Sequence, residues 1–152
     1  MQASIRTAGP ADREAVHELM RGYYRDDGLE FGQRQRDAMS RLLKEPQWGR
    51  VYLLEIGTRA IGYVAVCLGY SIELGGNDAF VDEVFVVPEE RGRGFGTQLL
   101  AHAAADCVTL GVQALHLEVD KTNLRAQRLY ESLGYGARDR YCLMTKALGE
   151  DD

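Results

Sequence analysis

The chain has 152 residues, of which 45% are hydrophobic and 27% charged, a composition typical of one globular domain covering residues 1–152. Its 18 basic and 23 acidic residues give a net charge of −5, which argues against nucleic-acid binding because that function needs a basic face. No segment resembles a signal peptide or is long enough to span a membrane, so we expect a cytoplasmic protein without membrane contacts.

The cysteines and histidines suggest no metal centre. Cys67, Cys107 and Cys142 are far apart and lie among apolar neighbours, without the paired spacing of a zinc site. The pattern favours buried free thiols in a reducing cytosol. The three histidines are scattered along the chain, so we expect the protein to function without a metal.

Apolar periodicity and turn residues predict a mixed α/β sheet with helices on both faces. The first half predicts a short strand at 3–7, helices near 12–24 and 33–43, strands at 51–56 and 60–68, and a hairpin turn at 75–77. The second half predicts a strand ending near residue 87, a helix from about 95 to 110, a strand at 113–119, a helix at 123–133 and a strand at 141–145.

The segment 78–100 organises the chain, because an apolar strand, a glycine-rich turn and a helix start follow one another there. Backbone N–H groups at such a turn bind anions, and the helix dipole favours negative charge. No Lys-Ser or Lys-Thr follows the glycines, which excludes a P-loop. In a dinucleotide fingerprint that begins at Gly92, the last glycine would fall on Thr97, so that motif is excluded as well.

Two motifs then stand out. Residues 91–96, RGRGFG, fit the pattern [QR]-x-x-G-x-[GA], and residues 123–135, NLRAQRLYESLGY, fit N-x-x-A-x-x-x-Y-x-x-x-G-[FY]. Together with the order of elements, they resemble the GNAT family of N-acetyltransferases. The resemblance implies a mostly antiparallel α/β sheet (α+β type) of six to seven strands with helices on both faces, and acetyl-coenzyme A (acetyl-CoA) as cosubstrate.

The resemblance also implies where acetyl-CoA binds. A strand segment pairs with the pantetheine arm, loop amides hold the pyrophosphate, and the downstream motif supplies side chains. The implied cofactor-binding residues are Val84, Phe85, Val86, Arg91, Gly92, Arg93, Gly94, Phe95, Gly96, Thr97, Asn123 and Arg128.

Acetyl transfer to an amine needs a base, an N–H donor to the carbonyl oxygen and a proton donor for the leaving thiolate. Asp82 and Glu83 interrupt an apolar strand, where alternation places their side chains on opposite faces. The resemblance favours the Asp82 side of the strand for the base and adds Glu118 as a third candidate. By resemblance, Tyr130 protonates the thiolate, and the amide of Phe85 or Val86 faces the carbonyl oxygen.

The resemblance implies an acceptor site built largely from the first two helices and the loops near them. The candidate residues are Tyr23, Tyr24, Asp27, Glu30 and Tyr70, an aromatic and acidic set suited to a cationic amine. The favoured function is acetylation of a small-molecule primary amine by direct attack in a ternary complex. The alternatives are acetylation of a protein N-terminus or lysine, and a non-catalytic acetyl-CoA sensor. Homodimers are frequent in the family, so a homodimer is possible.

Overall fold

The computed structural model describes residues 2–149, and the chain divides into two compact units at the boundary between Glu118 and Val119. The elements of the first unit are β1 (Ala3–Thr7), α1 (Arg13–Asp26), α2 (Gln33–Lys44), β2 (Gly49–Ile56), β3 (Arg59–Ser71), β4 (Gly76–Val86), α3 (Phe95–Thr109) and β5 (Leu115–His116). The second unit contains α4 (Leu124–Ser132).

The sheet has the strand order β1-β2-β3-β4-β5. The first four strands are antiparallel to their neighbours, and β5 runs parallel to β4. The predicted mixed, mostly antiparallel α/β architecture is therefore confirmed.

The predicted count of six to seven strands is too high, because the described residues form five. The strand predicted at 113–119 shrinks to Leu115–His116, since β5 pairs with β4 at two positions only. Residues 141–145 are irregular, and their apolar side chains, including Leu143 and Met144, are exposed. An apolar segment becomes a strand only where a neighbouring strand supplies ladder hydrogen bonds, and no strand among the described residues pairs with 141–145.

Helices cover both faces of the sheet, as predicted. Side chains of α1 and α2, such as Val16, Met20 and Leu43, pack with Tyr63 and Phe85 on one face. On the other face, the apolar stripe of α3 packs with the alternate strand residues, a cluster that includes Leu99, Ala103, Cys107, Val64 and Val86. Alternation along β3 and β4 thus divides the core into two layers.

The described cysteines are free thiols, as predicted, with Cys107 buried and Cys67 partly buried. The predicted burial is wrong for Cys142, which is exposed because residues 141–145 do not form a strand of the sheet. None of the helices within residues 2–149 is long and apolar enough to cross a membrane.

Gly22 allows α1 to pack closely against the sheet. A Cβ at this position would lie 2.4 Å from Cζ of Phe85, closer than real Cβ contacts. Gly22→Ala is therefore expected to lower the free energy of unfolding by about 1–3 kcal/mol, measured by urea denaturation. Gly9→Ala is the control, because a Cβ there meets nothing within 4 Å. An equal effect of the two substitutions would contradict this packing argument.

Candidate functional site

The glycine-rich turn precedes α3 and adopts a conformation that requires glycine. Gly92 and Gly94 both have φ +80°, and Gly94 is the N-cap residue of α3. This left-handed region is sterically costly for residues that have a Cβ. The turn therefore leads into α3, and no side chain covers the backbone of the turn at Gly92 and Gly94.

The backbone amides from Gly92 to Thr97 donate no hydrogen bond to any acceptor within residues 2–149. The first turn of α3 contains no acidic side chain that would compete for the helix dipole. A Cβ built on Gly92, Gly94 or Gly96 would meet nothing within 4 Å, so the space above the turn is open. Successive free amides at a helix N-terminus fit a pyrophosphate group.

The two arginines of the turn are held by other residues of the protein. Arg91 donates from Nε to the carbonyl oxygen of Val86 at 2.8 Å and pairs with Asp26 at 2.8 Å. Arg93 forms an ion pair with Glu90. These contacts tie the turn to the end of β4 and to α1, and they leave the backbone amides as the anion-binding groups.

On the edge of β4 that faces away from β3, the described residues form no strand pairing beyond Phe80, because β5 pairs only with Ala79 and Phe80, so this edge is open there. The amide of Val87 donates to the carbonyl oxygen of Ile61 at 2.9 Å, directly across the β3–β4 pair. Hydrogen-bonded and non-hydrogen-bonded pairs alternate along antiparallel strands. Val84 and Val86 therefore turn their N–H groups to the open edge, whereas Phe85 turns its own towards β3.

A β-bulge interrupts the pairing of β3 and β4 beside the two acidic residues. Ala65 pairs with Glu83 while Val66 pairs with Val81, so Asp82 has no opposite residue. Instead of pointing to opposite faces, as strict alternation predicts, Asp82 and Glu83 line the same cavity. The predicted orientation is wrong because sequence alternation cannot reveal an unpaired residue.

Glu83 is the one charged side chain that is buried among the described residues, with 8% of its surface exposed. Its Oε1 accepts a hydrogen bond from the Tyr63 hydroxyl at 2.8 Å, and its Oε2 accepts one from the Tyr24 hydroxyl. Burial raises the pKa of Glu83, and the two hydroxyls offset part of that rise by stabilising the carboxylate. Such a carboxylate is held in one orientation and is a stronger base than an exposed glutamate.

Asp82 keeps an exposed surface, although desolvation raises the pKa of its carboxyl above the ordinary value. Its negative charge contributes to the raised pKa of Glu83. Two neighbouring carboxyl groups with raised pKa values form an acidic wall that attracts a cation and can accept its proton.

The cavity beside these carboxyl groups has a volume of about 590 Å³ and lies between α1, α2 and the sheet. Its lining combines apolar and charged side chains: Met20, Tyr24, Arg34, Gln35, Ala38, Met39, Arg41, Leu42, Trp48, Ala65, Cys67, Leu68, Asp82 and Glu83. Its volume lies within the usual range for small-molecule sites.

Sequence comparison identifies the family. A sequence model of the acetyltransferase (GNAT) family matches residues 13–135. An uncharacterized N-acetyltransferase from Archaeoglobus fulgidus is 34% identical over 131 residues, which cover 80% of this chain and 87% of that relative. The chain belongs to the GNAT family. This is the family that the two motifs predicted.

Other similarities to named proteins are partial. A thialysine N-epsilon-acetyltransferase from Bos taurus is 33% identical over 78 residues, which are 51% of this chain and 45% of that relative. A mycothiol acetyltransferase from Thermobispora bispora is 44% identical over 63 residues, which are 40% of this chain and 21% of the relative. The chain thus spans less than half the length of these two proteins.

The fold also matches solved structures. An integron cassette protein, HFX_CASS3, from the mobile metagenome of Cole Harbour Salt Marsh has a TM-score of 0.84 and 32% identity, over 97% of this chain and 91% of that one.

The structure brings together only part of the acceptor set predicted for this GNAT chain. Tyr24 lines the cavity. The ring of Tyr23 packs edge-on against the ring of Tyr24, with the two centroids 5.2 Å apart. Asp27 lies close enough to raise the pKa of Tyr23, after the larger effect of burial. Glu30 and Tyr70 are exposed and do not line the cavity, and the same holds for Glu118 beyond the end of β5.

The second GNAT motif lies in the second unit. Asn123 is the N-cap of α4, where its Oδ1 accepts a hydrogen bond from the Ala126 amide at 3.1 Å. Arg128 is exposed on α4. Tyr130 is partly buried, and its ring packs edge-on against Tyr135 with centroids 6.1 Å apart. Burial raises the pKa of Tyr130, so its hydroxyl stays protonated at neutral pH.

Sequence reasoning missed Tyr63, which donates to Glu83, and two arginines that line the cavity, Arg34 and Arg41. Tyr63 sits in an apolar strand, and its contact with Glu83 depends on strand register, which the sequence does not reveal. The sequence does contain a signal for Arg34 and Arg41, because positions 34, 38 and 41 have the spacing of residues on one helix face. That face turns towards the cavity.

Proposed function

We propose that this GNAT enzyme transfers the acetyl group of acetyl-CoA to the primary amine of a small molecule by direct attack in a ternary complex. The observation that carries the proposal is Glu83, a buried carboxylate held by two tyrosine hydroxyls at the wall of a cavity of about 590 Å³. The same strand has an open edge, and the free amides at the start of α3 fit a pyrophosphate.

In the proposed reaction each proton has a destination. An alkylammonium, with a pKa near the ~10.4 of lysine, first loses one proton to solvent. The neutral amine then attacks, the C–N bond forms and the thioester C–S bond breaks. Glu83 accepts the second amine proton, directly or through water, and the departing thiolate takes up a proton. The amide of Val86, at the open edge of β4, is the proposed donor to the carbonyl oxygen.

The cavity thiol supports direct attack rather than an acylated enzyme. Cys67 lines the cavity, but burial and the charges of Asp82 and Glu83 raise its pKa to about 11. Because the thiolate is the nucleophilic form, Cys67 is largely unreactive at neutral pH.

A thiol-release assay with acetyl-CoA and a panel of primary amines tests the proposal. We expect release that depends on the amine, and initial-rate lines that intersect as both substrates are varied. Parallel lines would indicate an acyl-enzyme and contradict direct attack. If acetyl-CoA binds but only peptides cause thiol release, the protein-acetyltransferase alternative holds. If acetyl-CoA binds and no amine or peptide causes thiol release, the sensor alternative holds.

Tyr130 is proposed from its motif as the proton donor to the leaving thiolate. A thiol with a pKa near ~8.5 is already a fair leaving group, so Tyr130→Phe is expected to lower kcat only about tenfold. Steady-state kinetics measure the change. Tyr141→Phe is the control, because Tyr141 is exposed in the same unit. Equal kcat values for the two variants would remove Tyr130 from the mechanism.

A further inference from the structure

The cavity has charged walls of opposite sign. Asp82 and Glu83 of β4 line one side, whereas Arg34 and Arg41 project from α2 on the other. The two arginines are seven residues apart, which corresponds to two helical turns, or about 10 Å along α2. A ligand that only carries an amine needs the acidic wall and gains nothing from two guanidinium groups.

Arg34 has no partner among the residues that the structure describes. It forms no hydrogen bond, ion pair or aromatic contact with any residue within 2–149. Its neighbour on the helix, Arg36, is instead placed over the ring of Phe31 at 4.4 Å. Arg34 therefore has its full set of N–H donors available to a molecule in the cavity.

Arg41 is positioned by two contacts that leave donors free. Its Nε donates to Glu45 at 2.8 Å, and its guanidinium lies 5.3 Å from the centroid of the Trp48 ring. Within the described residues no acceptor binds the terminal amino groups of Arg41. A guanidinium fixed by its Nε presents these groups as a planar fork, the geometry that binds an oxyanion with two hydrogen bonds.

We infer that the acceptor is an amine that also carries an oxyanion, either a carboxylate or a phosphonate, which binds to Arg34 and Arg41 while the amine faces Asp82 and Glu83. This inference rests on the proposed function. Apolar side chains that include Met39, Leu42 and Leu68 line the same cavity and suit an alkyl chain between the two charged ends.

Matched substrates test the inference on the unmodified protein. We compare kcat/KM for β-alanine, 4-aminobutanoate and 6-aminohexanoate with alkylamines of the same chain length, and a further arm replaces each carboxylate with a phosphonate. Because both arginines are exposed to solvent, which weakens their attraction for an oxyanion, the best oxyanion-bearing amine is expected to exceed its matched alkylamine only about tenfold. A preference for either oxyanion supports the inference, and the two arms identify which one binds.

Arg34→Gln should reduce this preference, because it lowers kcat/KM more for the oxyanion-bearing amine than for the matched alkylamine. Lys44→Gln is the matched control, since Lys44 is an exposed cation on the same helix that does not line the cavity. Equal turnover of both substrate types by the unmodified protein overturns the inference and leaves the proposed function standing. Absence of turnover with every amine, despite acetyl-CoA binding, overturns the proposed function and the inference together.

Discussion

Replacing Glu83 with glutamine is expected to lower kcat by a factor of about 10² to 10⁴, the usual contribution of a general base. The amide cannot accept the proton of the attacking amine, so the reaction loses its proposed base. The affinity for acetyl-CoA should change little, because the free amides proposed to bind it lie at the start of α3. Steady-state kinetics and direct titration with acetyl-CoA separate these two effects.

The Glu83→Gln variant should remain folded. A glutamine oxygen can accept the hydrogen bond that Tyr63 now donates to Glu83, and its amide group can donate to the Tyr24 oxygen. Burial raises the folded-state pKa of Glu83, so ionisation opposes folding as pH rises from the unfolded pKa, ~4.3, through the folded one. At neutral pH the wild type bears the free-energy cost of ionising Glu83, and the variant with a neutral glutamine does not. Thermal melts of both proteins across this pH range measure the difference in stability.

The pH profile provides a second readout. In the wild type, kcat/KM should rise with pH through the pKa of Glu83, which lies above the ordinary glutamate value of 4.5. The Glu83→Gln profile should lack this limb. Asp82→Asn is the matched control, because Asp82 lines the same cavity without the two tyrosine contacts. If Asp82→Asn loses more activity than Glu83→Gln, Asp82 is the base and the assignment of Glu83 is wrong.

Local sequence signals predicted the elements that local physics determines. The helix predicted at 33–43 appears as Gln33–Lys44, since its apolar spacing and the following Glu45-Pro46 act over a few residues. The glycine turn was predicted for the same reason, and both Gly92 and Gly94 have the positive φ that only glycine adopts readily.

What the sequence could not predict depends on pairing between distant segments. The bulge at Asp82 arises from a register shift against Val66, and it brings two carboxyl groups into one cavity that alternation would have separated. The contact between Tyr63 and Glu83 likewise requires neighbouring strands in one particular register. Residues 141–145 have the apolar run of a strand, but no strand among the described residues pairs with them.

Gly94→Ala is expected to weaken acetyl-CoA binding about 100-fold. The new Cβ would lie in the open space where the pyrophosphate is proposed to approach the amides. The pyrophosphate would then lose one or two charge-assisted hydrogen bonds to these amides. The left-handed φ of +80° also adds strain, of about 1–2 kcal/mol. Isothermal titration with acetyl-CoA measures the affinity, and urea denaturation measures the strain.

Gly111→Ala separates the two effects. Gly111 follows the other end of α3 with φ +78°, and a Cβ there also meets nothing within 4 Å, so the backbone strain matches that at Gly94. We expect both variants to lose similar stability, while only Gly94→Ala loses affinity. Gly96→Ala should keep its affinity, because the family pattern accepts alanine there and the backbone has no positive φ. Equal affinities for the Gly94 and Gly111 variants would mean that the pyrophosphate binds elsewhere.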